Sequence, residues 1–313
     1  MKKLIIFILL IIYLTGIGYL SAKQYLDQIV LPQNFLILGL DPRNDLLEKT
    51  ETTDTIIYAH LSNNSSEVKL FSLPRDLWFY PTSQKINQIY PDSLKTANSF
   101  NYIQTNFSLL VGQKIDKTII ITTENLRQIA DLVGGIDVYL DKELKDEKYP
   151  NQAYIDNPKS SAPIYKTIFY PAGKNHLDSS NITEFVRSRK SSETAATGGT
   201  DLGRIVRQQQ LINALLSKLM SIREPKKILQ IYQYFDTQVS HNFSHQDYLN
   251  FGLKLAPNLT KFKLTKITIP TGENPKTDII FHPQKFINAQ WVFITSTSDY
   301  QSLKSFISKS LLY

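Results

Sequence analysis

Residues 117–140, KTIIITTENLRQIADLVGGIDVYL, restrict the architecture more than any other stretch of the chain. Lys117 to Thr122 is a short apolar run of the kind that forms a buried strand. Thr123 can cap a helix begun at Glu124, Gly134-Gly135 stops it, and Ile136 to Leu140 resumes as a strand. Strand, helix, strand is the unit of an α/β sheet, so the fold class follows from these residues.

The flanking sequence agrees. NFLILGL (Asn34 to Leu40) reads as a buried strand feeding the polar loop Asp41-Pro42-Arg43-Asn44-Asp45. TIIYAHL (Thr55 to Leu61), a turn-rich SNNSS and EVKLFSL (Glu67 to Leu73) read as a hairpin. Asp92 to Val111 has partial helical spacing, with Gly112 as its stop. Asp141 to Ser161 loses the apolar pattern to charge, Asn and Pro and reads as a long surface excursion, and Ser180 to about Val186 as a short helix. Ser191 to Thr200 is a loop of small residues, and Asp201 sits as N-cap of a helix carrying Leu202, Ile205, Ile212, Leu215, Leu216 and Leu219 at a 3.6 period. Beyond Ser244 come a helix, strands near Phe262 to Ile269 and Trp291 to Ile294, and a last amphipathic helix.

With 42% hydrophobic, 20% charged and 11% aromatic residues, the 313-residue chain has the means to bury a sizeable core. Its start sets an address. Met1-Lys2-Lys3 precedes an uncharged, mostly apolar run from Leu4 to Leu20, long enough at the lower limit for a membrane-spanning helix. The alternative is a cleaved signal peptide, for which Leu20-Ser21-Ala22 is a poor processing site. The expected layout is a cytoplasmic tip at 1–3, a transmembrane anchor at 4–21, a linker at 22–33 and one extracytoplasmic domain at 34–313. Its motif core occupies 34–220, and a C-terminal subdomain falls at about 236–313. Lys2 and Lys3 keep the short end inside, which makes this a single-pass cell-membrane protein with its working part outside.

The absence of cysteine excludes thiol catalysis, zinc thiolates and iron–sulfur clusters. The histidines His60, His176, His241, His245 and His282 have no metal-ligand spacing. A net charge of +7 on a membrane-tethered outer domain favours anionic lipids or wall polymers over nucleic acid.

Arginine is scarce and clustered. Against twenty-seven lysines there are eight arginines, and Arg187, Arg189, Arg204 and Arg207 fall within FVRSRKSSETAATGGTDLGRIVRQQQ. On a helix from Asp201, Arg204, Arg207 and Gln208 are neighbours, expected on a face opposite the apolar stripe. Arg187 and Arg189 share a side only on extended backbone. Guanidinium forks suit phosphate oxygens; the alternative is salt bridges to Asp201, Glu184 and Glu193. Arg43 and Arg75 lie at strand ends, where ligands sit in open α/β sheets, with Asp76 as a partner for Arg75. Asp41 and Asp54 bracket one loop and offer hard oxygen ligands for Mg2+, or cap the loop.

The segments NFLILGLDPR, TTDTIIYAHL, KLFSLPRD, KINQIY, QIADLVGGIDVYL, FVRSRK and TDLGRIVRQQQ occur in an order that resembles the LytR-CpsA-Psr family of bacterial cell-wall assembly proteins, from roughly Asn34 to Met220. The resemblance implies a three-layer α/β/α sandwich with a central mixed β-sheet, preceded by one N-terminal transmembrane helix. It implies an apolar pocket for a polyprenyl chain, with pyrophosphate at the mouth. The implied activity is phosphotransfer of an anionic glycan, such as teichoic acid or capsule, from a polyprenyl-pyrophosphate donor to a peptidoglycan acceptor. Position by position it assigns Mg2+ to Asp41 and Asp54, and pyrophosphate to Arg43, Arg75, Arg187, Arg189, Arg204, Arg207 and Gln208, with Lys85 and Asn87 beside them. Arg204, Arg187, Arg189 and Asp54 are the residues expected to take part in catalysis. Family members commonly carry Arg two residues before the second aspartate, where this chain has Thr52. Two alternatives stay open: a polyprenyl-pyrophosphate phosphatase, and a non-catalytic tether for anionic polymer or lipid.

Overall fold

The computed structural model describes residues 24–40, 52–159, 161–188, 201–255 and 262–312, and within these the side chains of 201–205 and 209 are outside the description. Six strands among the described residues form the central sheet. They are β1 (Asn34–Leu40), β2 (Thr53–Leu61), β3 (Glu67–Ser72), β4 (Lys117–Thr122), β5 (Ser240–His241) and β6 (Lys263–Ile267), in the spatial order β5-β4-β1-β2-β3-β6. The β1–β4 and β3–β6 pairs are parallel, and β1–β2, β2–β3 and β4–β5 are antiparallel, so the sheet is mixed as expected.

Helices cover both faces. Alternation along β1 sends Leu36, Leu38 and Leu40 to a core shared with Phe107 and Leu110 of α1 (Ser99–Val111) and Leu303 and Ile307 of the C-terminal helix, Gln301–Leu312. The opposite face meets α2 (Thr123–Val133), α3 (Ile182–Arg187), α4 (Asp201–Ser221) and α5 (Pro225–Gln238) through Ile129, Val133, Phe185, Leu211 and Leu215. With both faces buried, the inner strands need apolar side chains on both sides. That is why NFLILGL and KTIIIT carry continuous apolar runs.

The caps explain the helix limits. Thr122, one residue earlier than the sequence suggests, caps α2 in a reciprocal box with Asn125, and Gly134 closes it in the left-handed region at φ 78°. Gly112 ends α1 the same way at φ 71°.

One expectation fails. The stretch from Asp141 to Ser161 is no structureless excursion, because Leu144–Pro150 pairs antiparallel with Tyr165–Tyr170. Together with Ile136–Leu140 and Gly173–Leu177, which also pair, it builds a long two-stranded ribbon. Leu144, Asp146 and Tyr149 point inward with Ile168 and Tyr170, and the charges between them occupy the outward side.

No helix among the described residues is long and apolar enough to cross a membrane; the run Leu4 to Leu20 lies outside them. From residue 236 onward the chain supplies β5 and β6 to the edges of the central sheet and the last helix to its first core.

Candidate functional site

Between the sheet and α2, α4 and α5 lies a cavity of about 240 Å3. Its walls are apolar: Ile37, Ile119 and Ile121 from the sheet, Leu126 and Ile129 from α2, Leu211, Ile212, Leu215 and Leu219 from α4, and Ile231 and Phe235 from α5. The parallel pairing of β1 and β4 brings Leu40 beside Thr122, so their carboxyl ends and the first turn of α2 form one end of the cavity. The polar lining collects there, from Asp54, Thr122, Thr123, Arg187 and Gln208.

A register irregularity aims Asp54 at this end. Gly39 pairs with Thr55 but Leu40 with Thr53, which leaves Asp54 as the extra residue of a β-bulge. Side chains of adjacent residues on a regular strand diverge, yet Asp54 and Thr55 both line the cavity. The bulge falls at Gly39 because only a glycine fits: a Cβ there would lie 2.9 Å from Cβ of Thr55.

Asp54 is 8% exposed and accepts a hydrogen bond from the Arg75 guanidinium. Arg75 also reaches Asp76 at 3.3 Å, and Asp76 takes a second cation, Lys85, at 2.7 Å. Asn87 is buried and acts through its backbone, donating to the Arg75 carbonyl at 3.2 Å and accepting from Thr53 Oγ1 at 3.3 Å. Lys85 and Asn87 therefore brace Asp76, Arg75 and β2.

Arg187, the last residue of α3, donates to Thr123 Oγ1 at 3.2 Å, which sets a guanidinium against the N-terminal turn of α2. Both contribute positive potential at one place. Backbone after Arg187 turns extended at Ser188 (φ −53°, ψ 134°), within one residue of the expected helix end. Glu184 pairs with Lys166, so an arginine salt bridge to it is not what orders this segment.

The expected outward face of α4 is corrected. Arg207 is only 4% exposed, one turn before Leu211, and its guanidinium donates to the Ser188 carbonyl. Gln208 lines the cavity one turn before Ile212. Residues 207 and 208 thus continue the apolar rows rather than oppose them, because i+4 neighbours share a face. Arg207 locks α4 to the segment carrying Arg187. Ser188 in turn donates to the buried Asp146 at 2.9 Å, a bond that ties in the ribbon. Sequence reasoning missed Asp146 and Ser188, whose only signal was an aspartate at an inward position of an alternating strand.

Asp41, Arg43 and Arg189 lie outside the described residues, as does the side chain of Arg204. No group of three His, Cys, Asp or Glu side chains is gathered among the described residues. For a magnesium ion the described site offers the buried Asp54 carboxylate, a hard oxygen donor, in β2 next to the residue that pairs with Leu40. Asp41, the other expected ligand, follows Leu40 in the sequence and is among the residues outside the description.

The LytR_cpsA_psr family model matches residues 22–308. The chain belongs to the LytR-CpsA-Psr family. Among relatives, the polyisoprenyl-teichoic acid–peptidoglycan teichoic acid transferase TagV of Bacillus subtilis strain 168 is 24% identical over 231 residues, 70% of this chain and 52% of that protein. The cell wall biosynthesis protein LcpA of Corynebacterium glutamicum is 26% identical over 199 residues, 56% of this chain and 34% of that protein. The chain thus spans about half the length, or less, of these curated relatives. The crystal structure of B. subtilis TagV superposes with a TM-score of 0.62 at 20% identity, covering 90% of this chain and 98% of that one. A structure of TagT bound to LIIa-WTA gives 0.58 at 16%, covering 90% and 91%. This likeness extends the LytR-CpsA-Psr fold to the sheet and helices that enclose the cavity.

Proposed function

We propose that this chain is a membrane-anchored phosphotransferase that moves an anionic glycopolymer from a polyprenyl-pyrophosphate carrier to peptidoglycan. One observation carries the reading: a deep apolar cavity ends at a charged mouth where Asp54, Arg75, Arg187 and the amino end of α2 converge. A ligand that suits this arrangement has a long hydrocarbon part and an anionic head. The names of the relatives, with polyisoprenyl-teichoic acid as donor and peptidoglycan as acceptor, describe such a pair.

In this reading the hydrocarbon lies along Ile119, Ile121, Leu211 and Leu215, and the pyrophosphate meets Arg187, Arg75 and Gln208. Arg43, Arg189 and Arg204 are assigned to the same anion by their place in the motif. An acceptor hydroxyl attacks the phosphorus that bears the glycan, the anhydride P–O bond breaks, and polyprenyl monophosphate leaves. That monophosphate, with a second ionisation near neutrality, takes up the hydroxyl proton. Charge builds on the leaving phosphate, and the fixed guanidinium groups at the mouth stabilise it. Asp41 and Asp54 would hold Mg2+, which would supply further charge neutralisation to the anhydride. The Arg75 pairing of Asp54 makes its carboxylate an orienting group rather than a base.

The test is incubation of the full-length protein with a polyprenyl-pyrophosphate-linked glycan, with and without soluble peptidoglycan fragments. Glycan phosphate joined to the fragments is the expected product. Equal release of free glycan phosphate in both arms would show a phosphatase, and an unconsumed donor would leave only a tether.

A further inference from the structure

An aromatic platform stands on a hairpin that is bonded at its base to Asp76, the partner of Arg75, in a part of the chain that the motifs do not reach. Residues 282–293 form a tight hairpin: Ile287 and Gln290 exchange backbone hydrogen bonds at 3.2 and 2.9 Å across Asn288 and Ala289. Both turn residues have positive φ, 49° and 57°, the geometry of a two-residue turn matched to strand twist. The hairpin is fastened to the site. Phe293 N donates to the Asp76 carbonyl at 2.9 Å, and Trp78 N donates to the Phe293 carbonyl at 2.8 Å. Leu77 and Phe293 form an isolated parallel bridge, which with the Phe293–Asp76 bond fixes the end of the hairpin at the residue that follows Arg75.

Trp291 is 43% exposed and Phe286 66% exposed. Trp291 packs against His282 at 4.5 Å and 67° and against Phe293 at 4.6 Å and 80°. Edge-to-face contacts on two sides fix the indole while leaving it open to solvent. Exposed amide side chains flank it, Gln284, Asn288 and Gln290, each both a donor and an acceptor. An aromatic face beside amides matches a sugar ring, which presents apolar C–H faces and an equator of hydroxyls.

We propose that Trp291, with His282 and Phe286, is a saccharide-stacking subsite that holds the glycan strand of the acceptor. The inference rests on the transfer reading above. It commits to the acceptor because the donor's head is placed at Arg187 and Arg75, and the attacking sugar must arrive on a flank of that head. The base of this hairpin is bonded to Asp76, the residue that pairs with Arg75. A lipid surface suits it less: the exposed large apolar residues of the hairpin are two, Phe286 and Trp291, on opposite arms of a turn that exposes Asn288 and Gln290.

Trp78 is 4% exposed, so ligand-dependent tryptophan fluorescence reports chiefly on Trp291. Full-length protein is titrated with a soluble muramic-acid-containing disaccharide, with anionic polymer free of lipid, and with anionic phospholipid vesicles. Saturable quenching by the disaccharide is expected in the parent protein, and isothermal titration calorimetry of the same disaccharide should show binding that is lost in Trp291→Leu and largely restored in Trp291→Phe. In the transfer assay Trp291→Leu should raise the acceptor KM about tenfold with kcat changed less than about twofold, the scale of one aromatic stacking contact. Unchanged KM in Trp291→Leu, or a fluorescence response to vesicles or polymer in place of the disaccharide, overturns the proposal. The binding arm needs no turnover, so Trp291-dependent calorimetric binding with a silent transfer assay would sink the transfer reading and leave the platform standing.

Discussion

Replacing Arg75 by methionine keeps the aliphatic stem and removes the guanidinium from which Asp54 accepts. The Asp54 side chain is 7% exposed and that of Arg75 20%, so the pair sits between the surface and interior regimes. Exposed pairs contribute about 1 kcal/mol at most, and removing one member of a buried pair costs about 3–5 kcal/mol. Partial exposure of Arg75 places the expected loss at about 2–3 kcal/mol, or roughly 3–5 °C in Tm for a domain of this size. Thermal and urea unfolding followed by circular dichroism measure it. Asp54→Asn alone and the double variant complete a cycle whose coupling should be about 1–3 kcal/mol. If Arg75→Met lies within about 0.5 kcal/mol of the parent, or the single effects simply add, the pair does not hold the mouth together. The bulge would then need another explanation for the direction it gives Asp54.

Arg187→Ala should lower transfer by an order of magnitude or more with the Tm little changed, as expected for a donor to developing charge; equal rates remove it from the mechanism. Ile121→Trp pushes an indole into the cavity. Binding of a polyprenyl pyrophosphate, read as a ligand-induced rise in Tm, should disappear while the apo protein stays folded. Chelation of divalent cations should abolish transfer and added Mg2+ restore it, and retained activity in chelator refutes the assignment to Asp41 and Asp54. Burial holds the His60 imidazole below its ordinary pKa of 6.5, with Lys69 adding to the effect and Asp116 opposing it. Burial also lowers His241, with Asp236 opposing and Lys117 reinforcing. Below about 6.5 the unfolded chain binds protons that the folded one refuses, so stability should fall as pH drops from there toward the folded values. In His60→Gln/His241→Gln that slope should flatten; an unchanged slope assigns it elsewhere.

The strands of the central sheet could be read from sequence because both of their faces are buried. Apolar runs such as Asn34 to Leu40 and Lys117 to Thr122 end at residues that cannot continue them, and their limits match. The ribbon escaped because its outward face is charged. In Leu144–Pro150 only Leu144, Asp146 and Tyr149 face inward, and an aspartate among three such positions hides the alternation. In the site, residue types were legible and directions were not. Asp54 faces the cavity through a bulge set by the β1–β2 register, a tertiary fact. Arg207 faces inward because Ser188 offers it a carbonyl across 19 residues of chain. Trp291 carries no motif, and only the bonds of Phe293 to Asp76 and Trp78 tie its hairpin to the segment that follows Arg75.

The two outermost strands of the central sheet come from the last third of the sequence, β5 against β4 and β6 against β3. A nascent chain that has emerged only as far as residue 239 therefore carries a four-stranded sheet with raw flanks on either side, each a template for another molecule. Completion of synthesis is what seals it. Stop codons or proteolytic cuts between 240 and 263 should accordingly yield self-associating fragments rather than smaller soluble units, even though every motif residue of the mouth has already been made.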